Sequence, residues 1–261
     1  MITALCAAAC LAAAPTSTLG AWSPDVAAAR AYAQTRPGQV SFAVRTEGRF
    51  FGHATTRAVP SASVLKAMLM VAYLRRPGVR GRKLTARDRA LLGPMIRRSD
   101  NATASAIFVR VGERGLHAVA RAAGMRRFVP AAPIWGNSRV DARDQTRFFL
   151  RIDALVPARH RAYAMTLLRT ITPSQRWGIG RATPRGWTAY FKGGWGSGTG
   201  AVDQQVALMR RGPLRVSVAI MTTGNGSHAA GKQTLRGVAT RLLRGLESVT
   251  PPATAARPAS S

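Results

Sequence analysis

Ser61-Ala62-Ser63-Val64-Leu65-Lys66 stands where an extended polar stretch gives way to a long apolar run, Ala62 to Leu74. That run reads as a helix with little polar surface, which belongs at the centre of a fold. Residues three apart on a helix share a face, so the Ser63 hydroxyl is set beside the Lys66 amine. No other Ser-x-x-Lys occurs in the chain. A serine hydroxyl is a weak nucleophile until a base takes its proton, and a lysine whose pKa is lowered by burial is such a base. The plain alternative makes Ser63 a helix N-cap and Lys66 an ordinary exposed lysine.

Upstream, Ser23-Pro24-Asp25 opens a helix through Ala33, and Val40–Val44 and Phe50–Ala54 flank a turn at Thr46–Arg49 as a hairpin. Downstream, helices are predicted over Thr85–Ile96, Ala102–Val111, Gly115–Ala123, Asp144–Ile152 and Arg159–Thr170, with Pro130–Val140 a loop. The C-terminal part changes character. Trp187–Phe191, Ala201–Met209 and Leu214–Thr222 read as strands, and Lys232–Leu246 as a closing helix. The pattern predicts an α+β fold, an α/β sandwich with one five-stranded antiparallel sheet. The first and last helices cover one face, and an all-helical subdomain covers the other. In these terms 22–62 and 187–250 form the sheet part, 63–186 the helical part, and 251–261 a disordered Pro/Ala/Ser tail.

Residues 1–21 resemble a secretory signal: Met1 to Ala14 carries no charged side chain, and a small, polar run follows. A basic n-region is absent, and a buried helix is the alternative reading. Both cysteines, Cys6 and Cys10, fall in this segment, so a processed protein would hold no thiol. Lipid anchorage through Cys10, which follows three alanines, stays open. The expectation is a secreted or envelope-associated protein. Its formal charge of +29, from 39 basic against 10 acidic residues, favours anionic wall polymers or lipids as surroundings. Nucleic acid is not expected, because the arginines are scattered, with no basic run, aromatic platform or zinc-finger spacing.

Three motifs occur in order: Ser63-x-x-Lys66, then Ser99-Asp100-Asn101 ahead of a helix, then Lys192-Gly193-Gly194 at the end of a strand. Together they resemble the signature of class A β-lactamases and penicillin-binding proteins. Arg143-Asp144-Gln145-Thr146 and Met221-Thr222-Thr223-Gly224 are similar to further stretches of that superfamily. The resemblance implies that Ser63 is acylated, with Lys66 as its candidate base. It implies that Ser99 relays a proton to the leaving nitrogen, that Asn101 bonds the substrate amide, and that Lys192 attracts a carboxylate and polarises Ser99. Substrate binding would involve Gly193, Gly194 and Trp195, with the backbone N–H groups of Ser63 and Trp195 as the oxyanion hole. Bland readings stand beside these: Ser99-Asp100-Asn101 as helix capping, Gly193–Gly196 as a flexible turn, and Trp135, Trp177 and Trp187 as packing. The four histidines lack metal-ligand spacing, and neither metal nor cofactor is expected.

The chain also departs from the family. Class A enzymes use a loop glutamate between the second and third motifs to activate the deacylating water, but the glutamates here are Glu47, Glu113 and Glu247 only. The loop itself looks trimmed. Asp141, the nearest acid, reads as structural beside Arg143 and Asp144. Gly193 stands where the family has Thr or Ser, with Ser197 or Thr199 as substitutes, and the interval from Ser63 to Ser99 is short for the family. Acylation machinery is therefore expected without efficient lactamase turnover. The function expected is an exported serine hydrolase acting as a monomer on a β-lactam or a peptidoglycan-derived amide. The alternative is a catalytically weak penicillin-binding or envelope-binding protein on the same scaffold.

Overall fold

A computed structural model describes residues 19–20, 22–196 and 202–251. The signal-like segment apart from residues 19–20, both cysteines, Ser197, Thr199, Ala201 and nearly all of the tail lie outside the described residues. Five strands form one antiparallel sheet: β1 (Gln39–Arg45), β2 (Phe50–His53), β3 (Thr188–Gly196), β4 (Val202–Arg211) and β5 (Leu214–Thr223). Their spatial order is β2-β1-β5-β4-β3. The expected α+β sheet architecture is therefore present, and β3 is an outer strand whose alternate N–H groups point away from the sheet.

Helix α1 (Val26–Gln34) is capped by Asp25, which accepts from Ala28 N at 2.8 Å. The last helix, α7 (His228–Leu242), packs on α1 and on β4 and β5. Between them in sequence come α2 (Leu65–Leu74), α3 (Ala86–Arg97), α4 (Asn101–Ala122), α5 (Ala142–Leu150) and α6 (Ala158–Arg169). Helix α5 packs against β1, β4 and β5. The central strands bury consecutive residues rather than alternate ones, as two covered faces require.

Every residue of α2 is buried, Lys66 included: α4 and α3 pack on it, and Gln145 of α5 reaches Met68. Besides α1, four more helices begin on a side-chain cap. Thr85 and Asp88 form a capping box on α3, Asp100 accepts from Thr103 N at 2.7 Å on α4, Asp141 from Asp144 N at 2.8 Å on α5, and Ser227 from Ala230 N at 3.1 Å on α7. Helix α4 breaks at Gly112, whose φ of 62° and ψ of 177° are not helical. The break falls where the sequence separates Ala102–Val111 from Gly115–Ala123.

Candidate active site

Ser63 sits in a short 3-10 turn, Ala62–Val64, that leads into α2. Several ties hold the approach to it. Val59–Pro60 pairs antiparallel with Arg139–Val140, Ser61 N donates to Ser138 O at 2.7 Å, and Ser61 Oγ donates to Gly136 O at 3.2 Å. Gln204 on β4 donates to Pro60 O as well. The segment is thus strapped to the sheet on one side and to the 125–140 loop on the other.

Strand β3 comes so close to this turn that only glycine fits at position 194. A Cβ there would lie 2.8 Å from both Ser63 N and Val64 N, and 3.2 Å from Ser61 O. The close approach brings the backbone N–H of Ser63 beside β3 at Gly194, the residue before Trp195.

The motif side chains converge as the sequence predicts, with one difference. Lys192 Nζ donates to Ser99 Oγ at 3.0 Å and to Gly193 O at 2.8 Å. Lys66 Nζ donates to Ser99 Oγ at 3.1 Å, to Asn101 Oδ1 at 2.7 Å and to Ser99 O. Ser99 holds its place in a left-handed conformation, φ 59°, which costs a non-glycine residue energy and exposes its backbone carbonyl to Lys66. Among the described residues, Ser63 Oγ hydrogen-bonds to none. The sequence sets Ser63 and Lys66 one turn apart, but the amine turns toward Ser99 and Asn101. Asn101 therefore uses its carbonyl on Lys66 and keeps its amide N–H₂ for another partner.

Burial lowers the Lys66 pKa to about 8, against the pull of Asp100 in the other direction. Lys192 is wholly buried, and burial, with Lys66 adding to it, holds its ammonium well below the ordinary lysine range. Three donated bonds make Lys66 an ammonium in this arrangement, and burial beside a second amine, with no carboxylate hydrogen-bonded to either among the described residues, eases the loss of its proton. Asp100 is pulled below its ordinary value by the Thr103 N–H and hydroxyl, in keeping with its capping duty.

The loop after α4 puts an indole, not a carboxylate, over Lys66: Trp135 lies 5.1 Å from Nζ to ring centroid and donates from Nε1 to Ser105 Oγ at 3.1 Å. Of the three glutamates, Glu47 lies in the β1–β2 turn, Glu113 within α4 and Glu247 in the turn after α7. Asp141 caps α5 and pairs with Arg127 at 3.3 Å, and burial raises its pKa to about 6. Its duty is structural, as the sequence suggests.

Trp177 also has a place at the site that sequence reasoning assigned to packing. Its ring covers Gly193, where a Cβ would meet Cη2 at 3.2 Å. It meets Trp195 edge-on at 5.9 Å and His228 edge-on at 5.4 Å, while Trp195 and His228 stack at 5.6 Å and 28°. His228 Nδ1 lies 2.5 Å from Oδ1 of Asp203, a buried carboxylate that also accepts from Asn225 Nδ2 at 3.0 Å. Burial raises the Asp203 pKa, and the His228 hydrogen bond opposes it. Neither residue carries a signal in the sequence, since the pair is made only when β4 meets the start of α7. Trp187, by contrast, is packing: it is buried and donates to Leu246 O at 2.9 Å.

A family described as the beta-lactamase enzyme family matches residues 77–246, a stretch that begins after Ser63 and Lys66 and includes Ser99 and Lys192. No curated protein matches the chain. Among solved structures, a β-lactamase from Sphaerobacter thermophilus DSM 20745 is 22% identical, with a TM-score of 0.70 over 87% of this chain and 98% of its own. A representative class A β-lactamase from Bacteroides cellulosilyticus DSM 14838 is 12% identical, with a TM-score of 0.71 over 86% and 99%. PBP-A is 16% identical, with a TM-score of 0.68 over 85% and 96%. At these identities the likeness is one of fold.

Proposed function

The chain belongs to the beta-lactamase enzyme family, and on that premise we propose that it is a serine hydrolase whose Ser63 forms an acyl-enzyme with a β-lactam or a wall-type amide. The observation that carries this reading is the convergence of Lys66 and Lys192 on Ser99 Oγ, beside a turn that Gly194 presses against the Ser63 backbone. Neutral Lys66 removes the Ser63 proton as Oγ attacks the carbonyl carbon. The N–H groups of Ser63 and Trp195 take the developing negative charge. Ser99, polarised by Lys192, passes its proton to the departing nitrogen and takes one from the Lys66 ammonium, which returns Lys66 to its neutral form, and the carbon–nitrogen bond breaks. Asn101 holds the substrate's amide through its N–H₂ end.

Deacylation is slow in this reading. A positioned base contributes about 10² to 10⁴-fold to such a step, and Trp135 occupies the space over Lys66. This favours a penicillin-binding, peptidase-like role over a resistance role. PBP-A, with which the fold is shared, has been solved in mutant form as an acyl-enzyme complex with penicillin G. Export remains part of the proposal and rests on the apolar, uncharged residues 1–14. Labelling with a fluorescent penicillin, followed by intact mass over time, tests the function. A long-lived adduct is expected. Fast turnover would refute slow deacylation, and absence of any adduct would refute the acyl-enzyme.

A further inference from the structure

The cross-strand register separates two sets of residues at the edge of the sheet. Gly193 pairs with Gln205 and Trp195 with Asp203, so these four share one face, while Lys192 and Gly194 point to the other, toward Ser99 and Ser63. A substrate lying along the outer edge of β3 is therefore reached from both faces. On the Lys192 face stands the acylation machinery. On the opposite face the residue that would offer a hydroxyl is Gly193, and an indole covers it.

What this second face does offer is an imidazole. His228 is the first residue of α7, its side chain is 40% exposed, and Asp203 holds it by Nδ1 from beneath. Trp195 stacks on one side and Trp177 closes its edge. Gly231, one turn along α7, leaves the room: a Cβ there would lie 2.0 Å from Asp203 Oδ2. A carboxylate that is 1% exposed, a glycine that admits it and two indoles that pack on the ring support a partly exposed imidazole, whose Nε2 is the nitrogen that Asp203 does not hold.

Resting on the acyl-transfer reading of Ser63, we propose that His228, oriented by Asp203 and clamped by Trp177 and Trp195, binds the carboxylate next to the substrate's scissile amide. It replaces the hydroxyl that Gly193 cannot supply. With Nδ1–H kept on Asp203, the ring takes the anion as an imidazolium: its Nε2–H donates to the carboxylate from one face of β3 while Lys192 attracts it from the other. Position and chemistry both fit: the ring is part-exposed, stacked on Trp195 of β3, and tethered so that binding costs little ordering.

The test separates binding from acylation by working in Ser63→Ala, which cannot be acylated. Tryptophan fluorescence reads the Kd of penicillin G and of its methyl ester, which lacks the anion. The acid is expected to bind more tightly than the ester. Adding His228→Ala is expected to cut that preference by about 10- to 100-fold, the loss of one hydrogen bond to a charged group. His228→Gln, which keeps an N–H donor, restores part of it and guards against misfolding as the cause. A short acyl-peptide with a free or an amidated C-terminus, measured in the same way, tells a lactam carboxylate from a peptide end. Equal binding of acid and ester to Ser63→Ala, or equal weakening of both by His228→Ala, overturns the proposal. Adduct formation on wild-type Ser63 stands or falls separately.

Discussion

Gly194→Ala tests how tightly the oxyanion geometry is set. The added methyl would sit 2.8 Å from Ser63 N and Val64 N, both backbone atoms in a turn that is strapped on two sides. Carbon contacts are comfortable from about 3.5 Å, so the strand and the turn must part by about 0.7 Å. A catalytic constellation tolerates displacements of about 0.5 Å, and the loss of one oxyanion donor lowers such rates on the order of 10² to 10³-fold. Overpacking of this kind also costs about 1–3 kcal/mol of stability. Stopped-flow acylation by a fluorescent penicillin and a thermal melt read the two effects. Gly48→Ala is the control: in the β1–β2 turn, away from the site, its methyl meets nothing within 4 Å. A Gly194→Ala protein that acylates and melts like wild type would refute the close approach as the source of the site's geometry.

The pH dependence of acylation follows from Lys66, whose pKa of about 8 makes the neutral amine scarce at neutral pH. The base form grows as pH rises through that value, so the acylation rate is expected to climb about tenfold from about pH 7 to about pH 9; a flat profile would remove Lys66 as the base. Asp100→Ala takes the cap from α4 and is expected to cost about 0.5–2 kcal/mol in urea unfolding, and no change would mean that the Thr103 hydrogen bonds carry no weight. Gly38→Ala places a methyl 2.0 Å from Thr223 O at a φ of +76°, and a loss of at least about 2 kcal/mol is expected by calorimetry. An unchanged melt would show that the loop into β1 relaxes freely.

Most of the framework is legible in the residues themselves. The five strands follow from local apolar patterning, and the break in α4 from Gly112 and the polar residues after it. The motifs stand in the order that brings helix, loop and strand together. Two boundaries moved for physical reasons. Lys192-Gly193-Gly194-Trp195-Gly196 reads as the end of a strand because glycine weakens strands, yet β3 runs through it to Gly196. Glycine is needed there because Trp177 and the Ser63 backbone occupy the space a side chain would take. Helix α7 starts at His228 rather than Lys232, since the Ser227 cap outweighs the glycines before it. Trp135, Trp177, Asp203 and His228 stayed hidden for another reason. Each acts through partners distant in sequence, and nothing in local spacing distinguishes a packing indole from one that faces Lys66 or Gly193.

The assignment of Ser63 as the acylated residue is tested most directly by locating the adduct. Trypsin releases Ala58–Lys66, which holds Ser61 and Ser63 in one peptide. After brief exposure to penicillin G, fragmentation of that peptide is expected to place the added mass on Ser63, and Ser63→Ala protein is expected to carry none. An adduct on Ser61 or on another peptide, or equal labelling of Ser63→Ala, would contradict it.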